Sequence, residues 1–170
     1  DVQGTVDMML DATQKFDKPL TEERLFGWQS AMFPSGRSGL YKIKVGEYRD
    51  DANGAMQVVS GAVGHEKVHY EAPPANSLNK EMAAFLDYIN NDKETDLVIK
   101  TAIAHLWFVI IHPFEDGNGR IARAITDMLL AKSENSSNRF YSMSSQIQKN
   151  RKSYYEILQI TQKEPVDITS

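Results

Sequence analysis

Apolar residues at Val2, Val6, Met9 and Leu10, extended by Thr13, recur at helical spacing over the first positions of the chain, which predicts an amphipathic helix that buries this stripe. A second short helix is expected after Pro19, with Leu25, Trp28 and Met32 turned inward. Residues 34–39 then break the pattern. From Tyr41 to Pro74 the period changes: Gly46, Asn53-Gly54, Gly61 and Gly64 punctuate runs at 56–59 and 68–70, which predict the two short strands of a hairpin. Leu78, Met82, Phe85, Leu86 and Ile89 restore a helical stripe. The run Leu97 to Ile111 is apolar nearly all round, the pattern of a central helix surrounded by others. It should stop at His112-Pro113, because proline disfavours helical geometry in the residue before it. Ile121, Ile125, Met128 and Leu129 mark a further helix starting near Asn118, and one last long helix is expected from about Ser144 to Lys163, carrying Ile147, Tyr154, Ile157, Leu158 and Thr161. The chain shows no repeat, linker or low-complexity tract. The fold class is mainly α, a helical bundle with one inserted β-hairpin. A single domain over residues 1–170 is expected, with N-terminal helices in 1–40, the hairpin region in 41–74, and a helical core in 77–163 around a loop at 112–123.

Composition narrows the function. At 170 residues, 41% hydrophobic and 25% charged, the chain resembles an ordinary globular domain. Its 19 basic and 23 acidic residues leave a formal charge of -4, so neither nucleic acid nor an anionic membrane is an expected partner, and any phosphate must be held by a local site. The absence of cysteine excludes disulfides, thiolate metal sites and a cysteine nucleophile. The run 97–111 is interrupted by Lys100 and His105 and is shorter than the roughly 20 residues of a membrane-spanning helix, so a cytoplasmic location is expected. A chain opening at Asp1 without an initiator Met reads as a piece of a longer protein.

The chemistry is concentrated in HPFEDGNGRIAR, His112 to Arg123. A helix delivers a histidine into a tight turn, an acid follows four residues later, and Gly117-Asn118-Gly119 opens a new helix. Glycines let backbone N–H groups approach an anion closely, and a helix N-terminus presents unpaired donors and the positive end of the dipole. Arg120 and Arg123, three apart, project from one face of the first turn and can grip phosphate through their forked donors. Asp116 supplies a hard oxygen ligand for Mg²⁺ bridging those phosphates. His112 is the natural base for a hydroxyl nucleophile. Glu115, between these groups, is expected to face solvent, and His105, two turns before His112 on the same helix, to be either a packed polar residue or a partner of His112.

With these residues the chain resembles the Fic domains, whose signature His-Pro-Phe-x-Asp/Glu-Gly-Asn-Gly/Lys-Arg-x-x-Arg is matched at every fixed position. The similarity extends over about Tyr48 to Gln162, with an arginine-bearing entry at Tyr48-Arg49, a hairpin ending in Ala72-Pro73-Pro74, and a late tyrosine pair. The resemblance implies a Fic-type bundle and transfer of a nucleoside monophosphate, usually AMP from ATP as co-substrate with Mg²⁺, to a Ser, Thr or Tyr hydroxyl of a target protein. It gives His112 the role of catalytic base and Asp116 that of metal ligand. Gly117, Asn118 and Gly119 become the anion hole, and Arg120 and Arg123 the phosphate-gripping pair. Val58, Val59, Ser60 and Gly61 correspond to a flap that covers the nucleotide and holds the target by β-augmentation. Tyr154 and Tyr155 match an aromatic pair beside the adenine pocket, whereas Gln162 stands where some relatives have Asn.

Other readings compete. His65-Glu66-Lys67-Val68-His69 spells the zinc-peptidase pattern H-E-x-x-H, but that chemistry needs a helix. On a strand the two histidines would stand about 13 Å apart, too far for bonds of about 2.1 Å to one Zn²⁺. A related phosphoryl or nucleotidyl transferase, a de-adenylylating enzyme on the same fold, and a non-catalytic nucleotide-binding module are the alternatives to an adenylyltransferase. Doc-like kinases typically carry Lys where this chain has Gly119. Many Fic domains are braked by a helix bearing Ser/Thr-x-x-x-Glu-Gly/Asn. Here only Glu134-Asn135 gives that ending, and Leu130 stands where the hydroxyl is required. The inhibitory helix is therefore expected outside this chain, before Asp1 or from another protein.

Overall fold

Two helices joined by a short loop, α4 (Leu97–Ile111) and α5 (Asn118–Glu134), pack along each other and carry the motif between them. The structure, a computed structural model, describes residues 2–60, 67–137 and 143–161. Helices α1 (Val2–Gln14) and α2 (Glu22–Met32) lie against each other and against α5, and α3 (Leu78–Asn91) lies against α4. The side chains of Met82, Phe85, Phe108, Ile111, Ile121 and Ile125 are buried between these helices. Each such burial contributes about 1.5–3 kcal/mol. The α4 helix is capped at its start by Asp96, whose carboxylate accepts from the Val98 and Ile99 amides. Its first turn is less enclosed than the apolar pattern suggests: Val98 and Ile99 are 61% and 58% exposed, and burial begins at Lys100. The Lys100 amine stays paired by donating to the Asp92 carbonyl at 2.6 Å.

The expected hairpin is present as β3 (Gln57–Ser60) and β4 (Lys67–Glu71), antiparallel, with a bulge between Val58 and Val59. A smaller hairpin, β1 (Arg37–Ser38) with β2 (Tyr41–Lys42), occupies the stretch that the sequence marks only as a break. Its strands are two residues long, too short to leave a periodic signal.

Two expectations fail. The N-terminal helix forms, but Val2, Val6 and Leu10 are 82%, 45% and 46% exposed, while Gly4, Met8 and Ala12 are buried. Size and polar pairing decide the face. A Cβ on Gly4 would sit 1.8 Å from the Ala31 carbonyl oxygen, so only glycine permits this close crossing of α1 and α2. Two turns along, Asp11 accepts from Arg24 Nε and Trp28 Nε1, both at 2.8 Å. Secondly, the last helix is two: α6 (Met143–Lys149) and α7 (Arg151–Thr161). Asn150 separates them, its backbone amide and its side-chain amide both donating to the Gln146 carbonyl, at 3.1 and 3.2 Å. On α7, Leu158 is buried while Ile157 is 51% exposed.

Candidate functional site

His112 ends α4 in the left-handed conformation, φ 49 and ψ 58. Its amide completes the helix to the Phe108 carbonyl, and the next residue is the proline that stops it. This conformation is costly for a residue with a Cβ, and one buried arginine holds it. Arg49 donates from Nε to the His112 carbonyl at 2.7 Å and from Nη2 to the Pro73 carbonyl at 2.6 Å, while its own amide donates to the Pro113 carbonyl. Asp51 pairs with its Nη1 at 2.8 Å. The His112 ring places Nδ1 3.1 Å from the Val109 carbonyl oxygen. A carbonyl only accepts, so Nδ1 carries the proton and Nε2 keeps a bare lone pair. Burial pushes the His112 pKa down to about 4, the Arg49 charge acting in the same direction, so the ring is neutral at neutral pH.

The loop after His112 is fastened from both sides. Phe114, fully buried, packs within an aromatic cluster with Phe26 and Tyr48 at centroid distances of 6.1 and 5.8 Å. The Asn118 side chain closes the loop, accepting from the Phe114 amide at 3.0 Å and donating to the Phe114 carbonyl at 2.7 Å. Asn118 therefore faces the site with its backbone, its side chain being spent on the loop. Gly117 takes φ 93, and a Cβ there would meet Met32 Cε at 2.9 Å and Phe33 Cε2 at 3.1 Å. The amides of Arg120 and Ile121 make the first helical bonds, both to the Gly117 carbonyl. The N–H groups of Asn118 and Gly119 precede them at the positive end of α5. Nothing lies within 4 Å of a Cβ built on Gly119, so an anion has open access there.

His112, Gly119 and Arg123 line one cleft of about 640 Å³, walled on one side by Val58 and Val59 of β3 and on the other by Tyr154 and Tyr155 of α7. That volume suits a nucleotide-sized ligand. The flap is tied to the base: Tyr70 of β4 donates its hydroxyl to the same Val109 carbonyl that fixes the His112 ring. Gly61 lies outside the described residues, as do His65 and Gln162, while Ser60 ends β3. The two arginines separate: Arg123 lines the cleft, whereas Arg120 lies over the Phe33 ring at 4.9 Å with Nη2 3.7 Å from Asp116 Oδ1. Asp116 also accepts from its neighbour Gly117 N–H at 2.6 Å and from the Ser38 hydroxyl. Glu115, expected in solvent, instead lines the cleft, its carboxylate accepting from the Lys44 amide at 3.1 Å.

His105 does not touch His112. Thr126 donates its hydroxyl to the Ala122 carbonyl, so it accepts from His105 Nδ1 at 3.0 Å, which leaves His105 Nε2 to accept from the Tyr154 hydroxyl at 3.0 Å. A directed chain thus locks Tyr154 to α4 and α5. Sequence reasoning missed Ile147, Gln148 and Arg151 as cleft residues, and it had no signal for them, since the turn at Asn150 that aims them is not periodic.

Among the described residues no three His, Cys, Asp or Glu side chains gather as a metal cage. Mg²⁺ that retains water and shares phosphate oxygens asks only one or two carboxylates of the protein. Asp116, whose side chain is 41% exposed beside the α5 N-terminus, meets that demand. Glu134 lies eleven residues beyond Arg123 on α5, about 17 Å away at about 1.5 Å per residue, too far to pair with it. His69 lies on strand β4 rather than on a helix. No helix among the described residues is long and apolar enough to cross a membrane.

The model of the Fic/DOC family matches residues 19–130. The chain is 33% identical over 63 residues to a probable protein adenylyltransferase of Aquifex aeolicus, covering 37% of this chain and 20% of that protein. It is 27% identical over 124 residues to a uridine 5'-monophosphate transferase of Xanthomonas campestris, covering 67% of this chain and 21% of that protein. The chain thus spans about a fifth of the length of these relatives. In fold it is similar to the crystal structure of a Fic family protein from Desulfovibrio desulfuricans, with a TM-score of 0.68 and 23% identity, covering 94% of this chain and 45% of that one. With a family match that takes in α2 through most of α5 and the whole stretch from His112 to Arg123, the chain belongs to the Fic/DOC family.

Proposed function

We propose that this chain transfers AMP from magnesium-bound ATP to a Ser, Thr or Tyr hydroxyl of another protein. The observation that carries the reading is the neutral His112 ring with a bare Nε2, set in the same cleft as Gly119 and Arg123. In this reading His112 Nε2 takes the hydroxyl proton as the oxygen bonds to the α-phosphorus, and the bond to the β-phosphate oxygen breaks to release pyrophosphate. Arg123, Arg120 and the amides opening α5 hold the phosphates and the charge that develops on them. When bound at Asp116, magnesium would supply countercharge to the same phosphates. The target segment lies along the β3–β4 flap, where backbone groups at a sheet edge give affinity with little demand on sequence. Tyr154 and Tyr155 form the wall beside the base. A carboxylate supplied from outside these residues and paired with Arg123 would act as the brake, because it would compete with phosphate for the same donors.

The test is incubation of the chain with a cell lysate and, in separate tubes, ATP labelled at the α-phosphate, ATP labelled at the γ-phosphate, and UTP labelled at the α-phosphate. Label on protein from α-labelled ATP alone supports the reading. Transfer of the γ-phosphate would make the chain a kinase, and label from UTP alone would make it a uridylyltransferase. His112→Ala should keep nucleotide affinity and lose about 10² to 10⁴ in transfer rate; equal rates would remove His112 from the reaction.

A further inference from the structure

The two consecutive acids of the motif loop are gripped by one segment far away in sequence. Residues 36–46 form a strap closed at its base by the Ile43 amide on the Gly36 carbonyl at 3.0 Å. It is anchored to α2 through Gln29, whose side chain donates to the Lys44 carbonyl at 3.1 Å and accepts from the Gly46 amide at 2.7 Å. From this anchored strap the Lys44 amide reaches Glu115, and the Ser38 hydroxyl donates to Asp116 Oδ2. Asp116 Oδ1 is meanwhile held by the Gly117 amide at 2.6 Å. Each Asp116 oxygen thus accepts one hydrogen bond and keeps a second lone pair, the Arg120 guanidinium standing beyond hydrogen-bond length at 3.7 Å from Oδ1, which is what a monodentate ligand to a hard cation needs. A ligand oriented in advance binds with less loss of side-chain freedom, and hydrogen-bonded partners of ligating carboxylates tune metal affinity strongly.

We propose that Ser38 is a positioning residue for the cation of this site, its hydroxyl holding the Asp116 carboxylate in the orientation that receives a divalent ion with the nucleotide phosphates. Ser38 lies outside the motif, on β1, 78 residues from its partner. The proposal rests on the reading of Asp116 as the metal ligand, and the experiment separates the two. Mn²⁺, visible by paramagnetic resonance, is titrated into the chain saturated with α,β-methylene-ATP, which cannot release pyrophosphate. Wild type should bind one Mn²⁺, and Asp116→Asn should lose it. Ser38→Ala should weaken Mn²⁺ by about tenfold or more, while metal-free binding of the analogue and the melting temperature stay as in wild type. Ser38→Thr keeps the hydroxyl in a residue suited to a strand and should restore the affinity. If Ser38→Ala binds Mn²⁺ within twofold of wild type, or if Thr fails to rescue, the proposal falls while the Asp116 assignment stands. If Asp116→Asn binds Mn²⁺ as wild type does, or wild type binds none, both fall together.

Discussion

At the scale of single residues, the chemistry depends on where protons sit. His112 and His105 both carry the proton on Nδ1, His112 against a backbone carbonyl and His105 against Thr126, which is committed as an acceptor. Burial is the first cause of the lowered pKa of each, to about 4. In the ligand-free chain the ring signals of both should therefore hold their neutral positions in NMR spectra down to about pH 5. Titration of the His112 signal near 6.5 would contradict the buried, Arg49-flanked geometry. Gly117→Ala is the sharpest steric test of the loop. It places a Cβ at φ 93 and within 2.9 Å of Met32 Cε, which should cost about 1–3 kcal/mol and lower the melting temperature measurably. The motif residues were legible in the sequence because their chemistry is local, twelve positions on one helix–loop–helix. Their supports were not. Arg49 holds a carbonyl 63 residues away and Ser38 a carboxylate 78 away, and hydrophobic periodicity carries no information about such pairs.

At the scale of elements, α1 shows what periodicity reads correctly and what it misses. The helix exists where its spacing puts it, yet the apolar stripe Val2, Val6 and Leu10 faces out, because Gly4 against Ala31 and the Asp11–Arg24–Trp28 cluster decide which side meets α2. Paired substitutions discriminate the two faces. Gly4→Ala should cost about 2 kcal/mol or more through overlap with backbone that cannot move aside, whereas Val2→Ser should stay within about 0.5 kcal/mol. Denaturant midpoints report both, and a larger loss for Val2→Ser would restore the face that the apolar spacing suggests. The division of the last helix has the same lesson. Ile147 and Tyr154, two turns apart, continue one apolar stripe across six polar residues, so the spacing gives no sign that regular helix lapses at Asn150 between them.

For the whole molecule, the two buried histidines set the response to acid. Each has a folded pKa of about 4 against an ordinary value of 6.5, so between those limits the unfolded chain binds more protons than the folded one. Stability is then full above about pH 6.5 and falls as pH drops towards 4, with a limiting slope of about 1.4 kcal/mol per pH unit for each histidine. Asp11, held down to about 2 against burial by its bonds from Lys15, Arg24 and Trp28, adds its own loss only at lower pH. Urea unfolding followed across pH 7.5 to 4.5 should show this decline, and His105→Gln should remove about one proton's share of it. A pH-independent midpoint over that range would mean that neither ring is buried as described.

The arrangement around Arg49 bears on how such chains are sorted from sequence alone. A signature search scores the letters from His112 to Arg123, but the left-handed turn that aims the histidine is held by an arginine that the signature does not contain. A homologous chain could keep all twelve letters, lose that arginine, and still be counted as an enzyme while its histidine relaxed out of the strained turn. Sorting active members from inert look-alikes therefore calls for a two-part test, the motif together with a buried arginine about sixty residues upstream. Arg49→Met in this chain would be the laboratory version of such a look-alike.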